Sequence, residues 1–129
     1  MGLDNGFVIQ NVNRQMVPNF VQLPFPDDDS DGIEIAYWRK CWGVRSAILD
    51  ALHAHNDDYH IEVKAEDIPA IVRALRPFFK AEYWEENADS IWTFDEAFDN
   101  MLNSIINLYW AKKYMEAYPD VTMYFYDSY

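Results

Sequence analysis

Apolar residues in this chain recur with different spacings in successive blocks, and each spacing predicts an element. Phe7-Val8-Ile9-Gln10-Asn11-Val12 follows the turn-like Asp4-Asn5-Gly6 and suits a short strand. From about Glu34 to Leu52 the spacing is helical. Tyr37, Cys41, Val44, Ile48 and Leu52 share one face, which Trp38, Trp42, Arg45 and Leu49 widen. Tyr59-His60-Ile61-Glu62-Val63 alternates briefly, enough for a short strand or extended connector. Helical spacing returns at Ile68, Ile71, Val72 and Leu75, with Asp67 as N-cap and Pro69 tolerated in the first turn. Pro77 should kink or stop that helix, because proline lacks the N–H that a mid-helix residue donates. Residues 78–92 read as a connection whose aromatics fold back onto the core.

Thr93-Phe94-Asp95-Glu96 is a capping box, in which Thr93 and Glu96 satisfy each other's orphan backbone donors. The helix it opens runs to about Tyr118 and stops at Pro119. Its predicted core stripe is Phe94, Phe98, Met101, Ile105 and Leu108, with Leu102, Ile106 and Tyr109 beside it. The chain closes on a period-two run in which Val121, Met123 and Phe125 share one face. Thr122, Tyr124, Tyr126 and Ser128 share the other. The fold class this predicts is α+β, with three helices packed on a small sheet containing the N- and C-terminal strands. At 129 residues the chain is one domain, with a mobile Pro/Asp-rich loop over about residues 16–33.

Charge changes this picture more than composition does. The net charge is −12, and sequence-independent contact with nucleic acid needs Lys and Arg to displace counterions, so direct nucleic-acid binding is disfavoured. Residues 15–38 and 81–111 carry no Lys, Arg or His. Into the second gap fall Glu82, Glu85, Glu86 and Asp89, interleaved with Trp84 and Trp92. They form either a solvated acidic face over buried aromatics or a negative surface that docks a basic protein partner. No apolar run reaches membrane-spanning length, and no basic start followed by an apolar stretch marks a secretory signal. Cys41 stands alone between Trp38 and Trp42 and has no partner for an internal disulfide, which favours a reducing cytoplasm.

Candidate chemistry is concentrated in two places. All three histidines fall between His53 and His60. This stretch echoes the H-x-H-x-D opening of zinc hydrolases such as the metallo-β-lactamases. A full site of that kind needs further ligands, however, and no other histidine exists to supply them. The polar-loop reading therefore leads, with no metal or cofactor expected; a site built from His53, His55, Asp57 and His60 is the alternative. The second place is Tyr37 to Arg45, where Arg39, Lys40 and Arg45 stand among aromatics. There Tyr37, Trp38, Arg39 and Arg45 could hold a nucleotide-like anion. The competing reading pairs Arg45, which spacing sets against the core, with one of the chain's own carboxylates. No phosphate-loop, dinucleotide or nucleophile-elbow motif occurs.

The opening Met-Gly-Leu-Asp-Asn-Gly, the proline-containing loop and the Ala36-Tyr37-Trp38-Arg39-Lys40 segment resemble a group of small phage and prophage proteins. Many of these begin Met-Gly-Leu-Asp and carry a Tyr-Trp-Arg-Lys segment in their first helix. The segment from Val63 to Ala74, with Glu66-Asp67-Ile68, is similar to their second helix. Asn5 and Cys41-Trp42-Gly43 depart from the pattern. The resemblance implies a phage accessory origin, a place in the bacterial host's cytoplasm and no catalytic residues. The expected function is therefore non-enzymatic: an acidic protein that binds a basic partner and could inhibit a host nucleic-acid-handling or defence factor.

Overall fold

The computed structural model describes residues 3–28, 30–55 and 60–128. Four strands, β1 (Asp4–Gln10), β2 (Gly32–Arg39), β3 (His60–Val63) and β4 (Thr122–Ser128), form one antiparallel sheet in the order β2-β1-β4-β3. Four helices join them: α1 (Trp42–Ala51), α2 (Ile68–Leu75), α3 (Ala81–Asn87) and α4 (Phe94–Ala117). The class is α+β and the terminal strands pair, as the pattern predicts. Among the described residues there are four helices, however, where three were expected. No helix among the described residues is long and apolar enough to cross a membrane.

Alternation sorts the sheet into two faces. Phe7, Ile9, Ile33, Ala36, Trp38, Met123 and Phe125 point into the core that the helices cover. Asp4, Gly6, Val8, Glu34, Tyr37, Tyr124 and Tyr126 occupy the opposite positions in register. The predicted helix from Glu34 to Leu52 divides instead into a strand and a shorter helix. Lys40, at φ 57°, turns the chain between them and donates its N–H to the Leu3 carbonyl at 2.7 Å. Tyr37 and Trp38 of β2 stand at helical spacing from Cys41, Val44 and Arg45 in the next segment, and a shift in the register with β1 between Phe7 and Val8 breaks the alternation that would mark a strand. Ile35 is the extra residue there, so Ile35 and Ala36 are both buried and the inward set reads 33, 35, 36, 38.

Pro77 ends α2 as expected, sitting in the first turn of a 3-10 segment, Arg76–Phe79. The predicted connection after it contains α3, which buries Trp84, while Phe78 is buried just before it. Gly43 is dictated by close approach, since a Cβ there would run into the Asn87 backbone carbonyl at the end of α3. Thr93 caps α4 by accepting from the Glu96 N–H at 3.3 Å.

The stripe that α4 buries matches the predicted one only in part: Met101 and Leu108 are buried and Phe94 and Ile105 pack against the core, but Phe98 and the residues expected beside the stripe do not. Ala97, Met101, Ser104, Asn107, Leu108, Ala111 and Tyr114 are inside, whereas Phe98, Leu102, Ile106 and Tyr109 are exposed. The reason is the edge of the sheet. Asn107 Nδ2 donates to the carbonyls of Ile35 and Gln22, each at 2.9 Å, and Asn100 Nδ2 donates to that of Tyr37 at 3.1 Å. These amides, one heptad apart, satisfy outward carbonyls of the edge strand β2 that would otherwise invite another chain. Turning Asn100 and Asn107 towards β2 turns Phe98, Leu102, Ile106 and Tyr109 away from the core.

Candidate functional site

The acidic segment forms a concavity. A cavity of about 550 Å³ is lined by Trp84, Glu85, Glu86, Ala88, Asp89, Ser90, Trp92, Thr93 and Phe94. Five of the six residues singled out for partner binding thus meet at one place; Glu82, exposed on the first turn of α3, is not among the lining residues. Local structure explains the shape. The Gly43 contact holds the end of α3 against α1, and Ala88 closes the helix by donating to the Trp84 carbonyl at 2.9 Å. Ser90 Oγ then donates to the Arg39 carbonyl at 3.2 Å and accepts from the Trp92 N–H at 3.1 Å, bending the segment back before Thr93 opens α4. Trp84, buried edge-on to Phe78 at 6.1 Å, is the floor. Trp92 is half-buried, while Glu85, Glu86 and Asp89 are exposed at the rim. Among the described residues, none that lines the cavity is basic. Three carboxylates over indole walls make a place for a cation with an apolar stem, the chemistry of Lys and Arg.

The residues proposed for an anion do not converge. Tyr37 and Arg39 lie on the open face of β2, both directed to Asp4. The Tyr37 hydroxyl donates to Asp4 Oδ1 at 2.5 Å, and Arg39 pairs with it at 3.6 Å. Trp38 is fully buried on the other face. Arg45 is buried on α1, where its Nε donates to Asp127 Oδ2 at 2.5 Å and its guanidinium stands 5.7 Å from the Trp42 ring centre. The carboxylate that Arg45 requires is therefore the protein's own. Burial raises the Asp127 pKa, and the Arg45 bond and charge oppose that rise.

His53 adopts φ 55° just past α1. Its N–H bonds to the Asp50 carbonyl at 3.1 Å, and that of Ala54 bonds to Leu49 at 2.9 Å. This is a Schellman C-cap, so His53 has a helix-ending role independent of any metal. His60 stands on β3 with its ring edge-on to Tyr124 at 4.8 Å. Asp57 lies outside the described residues. Among the described residues, no group of three or more His, Cys, Asp or Glu side chains is placed to hold a metal.

A second polar cluster was not foreseen. Gly6 faces Tyr37 on one side and Tyr126 on the other, and the Tyr126 hydroxyl donates across it to Glu34 Oε1. A Cβ at Gly6 would lie 2.8 Å from that carboxylate oxygen, so glycine leaves room for the contact. Burial pushes the Glu34 pKa up to about 7, against the lowering effect of the Tyr126 bond. Tyr126 is raised well above the usual phenol range, first by burial and then by its bond to Glu34. The signal was hidden because Glu34 and Tyr126 are 92 positions apart. Cys41 is buried and its thiol pKa is pushed up to about 11 by desolvation, which makes it a poor nucleophile. No protein-family model, curated protein or solved structure matches this chain.

Proposed function

We propose that this chain is a non-enzymatic acidic binding module that docks a basic segment of a partner protein in the cleft between α3 and α4. One observation carries the reading: Trp84, Glu85, Glu86, Asp89 and Trp92 surround a single cavity of about 550 Å³. Clustered carboxylates focus a negative field that raises the association rate of a cationic partner. The half-buried Trp92 offers a ring against which a Lys or Arg stem can lie before its charge reaches the rim. A phage accessory origin suits such a module, because a host factor that handles nucleic acid presents a basic surface for an acidic cleft to occupy. The cytoplasm of a bacterial host is the compartment this implies.

A lysine- and arginine-rich peptide tests the reading, with binding followed by tryptophan fluorescence at low and moderate salt. The triple variant Glu85→Lys, Glu86→Lys, Asp89→Lys should bind the peptide at least about tenfold more weakly and with a flatter salt dependence. A control with Asp27, Asp28 and Asp31 changed to Lys makes the same change in net charge away from the cleft and should retain most of the affinity. Equal losses in both variants would reduce the cleft to general charge, and unchanged binding by the first would remove the proposal.

A further inference from the structure

The rotation of α4 leaves an apolar face that the rest of the described chain covers only in part, Phe98 lying edge-on to Phe79 at 5.1 Å and Phe20 standing beside Ile106 and Tyr109. Phe98, Leu102, Ile106 and Tyr109 are 37%, 44%, 36% and 42% exposed, and their spacing keeps them on one side of the helix. Scattered exposed apolar residues need no explanation, but a continuous stripe does.

Two features of the same face indicate what covers it. The first is shape. Towards the C-terminal half, Phe20, Ile105, Ile106, Tyr109, Trp110 and Lys113 line a groove of about 320 Å³. Phe98 and Leu102, in the N-terminal half, are exposed and outside that groove. The helix therefore carries large apolar side chains at one end and a place to receive them at the other. The second is charge. Asp95 and Asp99 are exposed at the N-terminal end and Lys113 at the C-terminal end. With about 3.6 residues per turn, Asp95 and Lys113 are five turns apart and flank the stripe on the same side.

We infer that the partner for this face is a second copy of the chain, packed with its α4 antiparallel to the first about a two-fold axis near Ile105. That operation sets Lys113 of each copy between Asp95 and Asp99 of the other. It also brings Phe98 and Leu102 of each towards the groove of the other. Both contacts occur twice, as a closed isologous pair requires. A parallel pairing would oppose acid to acid and lysine to lysine. The stretch from Phe98 to Lys113 spans only about 24 Å. The pair is therefore small beside a standard interface, and its dissociation constant falls at roughly 10–100 µM. The inference is independent of the acidic cleft, since none of these residues except those at the start of α4 approaches it.

Sedimentation equilibrium tests the pair at about 0.15 M salt, where a Debye length of about 8 Å screens the overall charge of −12. Over roughly 1–500 µM protein, the weight-average mass should rise from monomer towards dimer. Lys113→Glu alone, and Asp95→Lys with Asp99→Lys, should each weaken the pair by roughly tenfold, because each opposes like charges across the axis. An equimolar mixture of the two variants should restore association, since both sites of the mixed pair then unite opposite charges. Circular dichroism confirms folding, all three substituted positions being exposed. A parent that stays monomeric throughout overturns the inference and leaves the face to a different partner. Variants that dimerise as well as the parent, or a mixture that fails to recover, overturn the antiparallel geometry.

Discussion

Replacing Arg45 with alanine removes the cation that holds Asp127, and the two sides of this pair should respond differently to acid. Arg45 and Asp127 side chains are only 7% and 1% exposed and meet at 2.5 Å. Asp127 Oδ1 has no partner among the described residues, so Arg45 provides its principal compensation. Breaking a buried pair from one side costs roughly 3–5 kcal/mol, because the charge left behind is uncompensated. In Arg45→Ala that charge is a carboxylate, which can escape by taking a proton. Its folded pKa is already raised by burial and would rise further without Arg45. A raised folded pKa gives stability that is present below the unfolded value, about 3.9, and lost as pH increases through the folded value. The penalty in Arg45→Ala should therefore be largest near neutrality and shrink towards about pH 4.5. In Asp127→Ala the residual charge is a guanidinium that cannot deprotonate, so its penalty should not be relieved by acid. Urea denaturation followed by tryptophan fluorescence, extrapolated linearly at about pH 4.5 and 7.5, measures both. The double change Arg45→Met, Asp127→Leu should be much milder than either single one. An Arg45→Ala protein within about 1 kcal/mol of the parent at neutral pH would refute the reasoning. It would return Arg45 to the role of a ligand-binding cation.

Two further outcomes are expected. Glu34 has a folded pKa of about 7 against an ordinary 4.5, so its contribution is present below about 4.5 and fades as pH rises through about 7. Glu34→Gln should gain on the parent by about 1–2 kcal/mol between pH 5 and 8, after discounting for solvent screening of a half-buried group. Parallel urea midpoints for the two proteins across that range would exclude it. Asn107→Ala should cost roughly 1–3 kcal/mol by stranding the carbonyls of Ile35 and Gln22. Exchange of the α4 and β2 amides should accelerate, and an unchanged melting curve would show that these bonds do not hold the edge.

Elements set by short-range signals were legible in the sequence. Pro77, the Thr93 cap, the Pro119 stop and the alternation from Val121 to Phe125 each act within a few residues of where they stand. What failed needed information from the partner surface. The bulge at Ile35 places two consecutive residues in the core and erases the period-two signal of a strand, while Tyr37 and Trp38 fall by chance at helical spacing from Cys41 and Val44. On α4, Met101 and Leu108 are buried as the spacing predicts, but one side of the stripe failed for the opposite reason. Hydrophobicity pointed to Phe98 and Leu102, but an edge strand with outward carbonyls drew Asn100 and Asn107 instead. Arg45 was placed correctly against the core on a partly wrong argument. Trp38, expected on the same helix face, is in β2, yet the helix from Trp42 still turns Arg45 inward.

The same distinction explains why one polar site was readable and the other was not. The acidic cleft is contiguous in sequence: a base-free run holding Trp84, Glu85, Glu86, Asp89 and Trp92 needs only a short helix and one bend to close on itself. Glu34 and Tyr126 come together only when β1 is inserted between β2 and β4 in a fixed register, with Gly6 directly between them. A one-residue slip of either strand would send one of the two side chains into the core. Arg45 and Asp127 obey the same constraint from the other face, through Asn5 opposite Asp127 on β1. The charged pair inside and the phenol–carboxyl pair outside thus depend on one register, on opposite sides of the same strands. Disturbing that register would strand a buried guanidinium and a buried carboxylate together, which ties the fold's specificity to polar groups that contribute little net stability themselves.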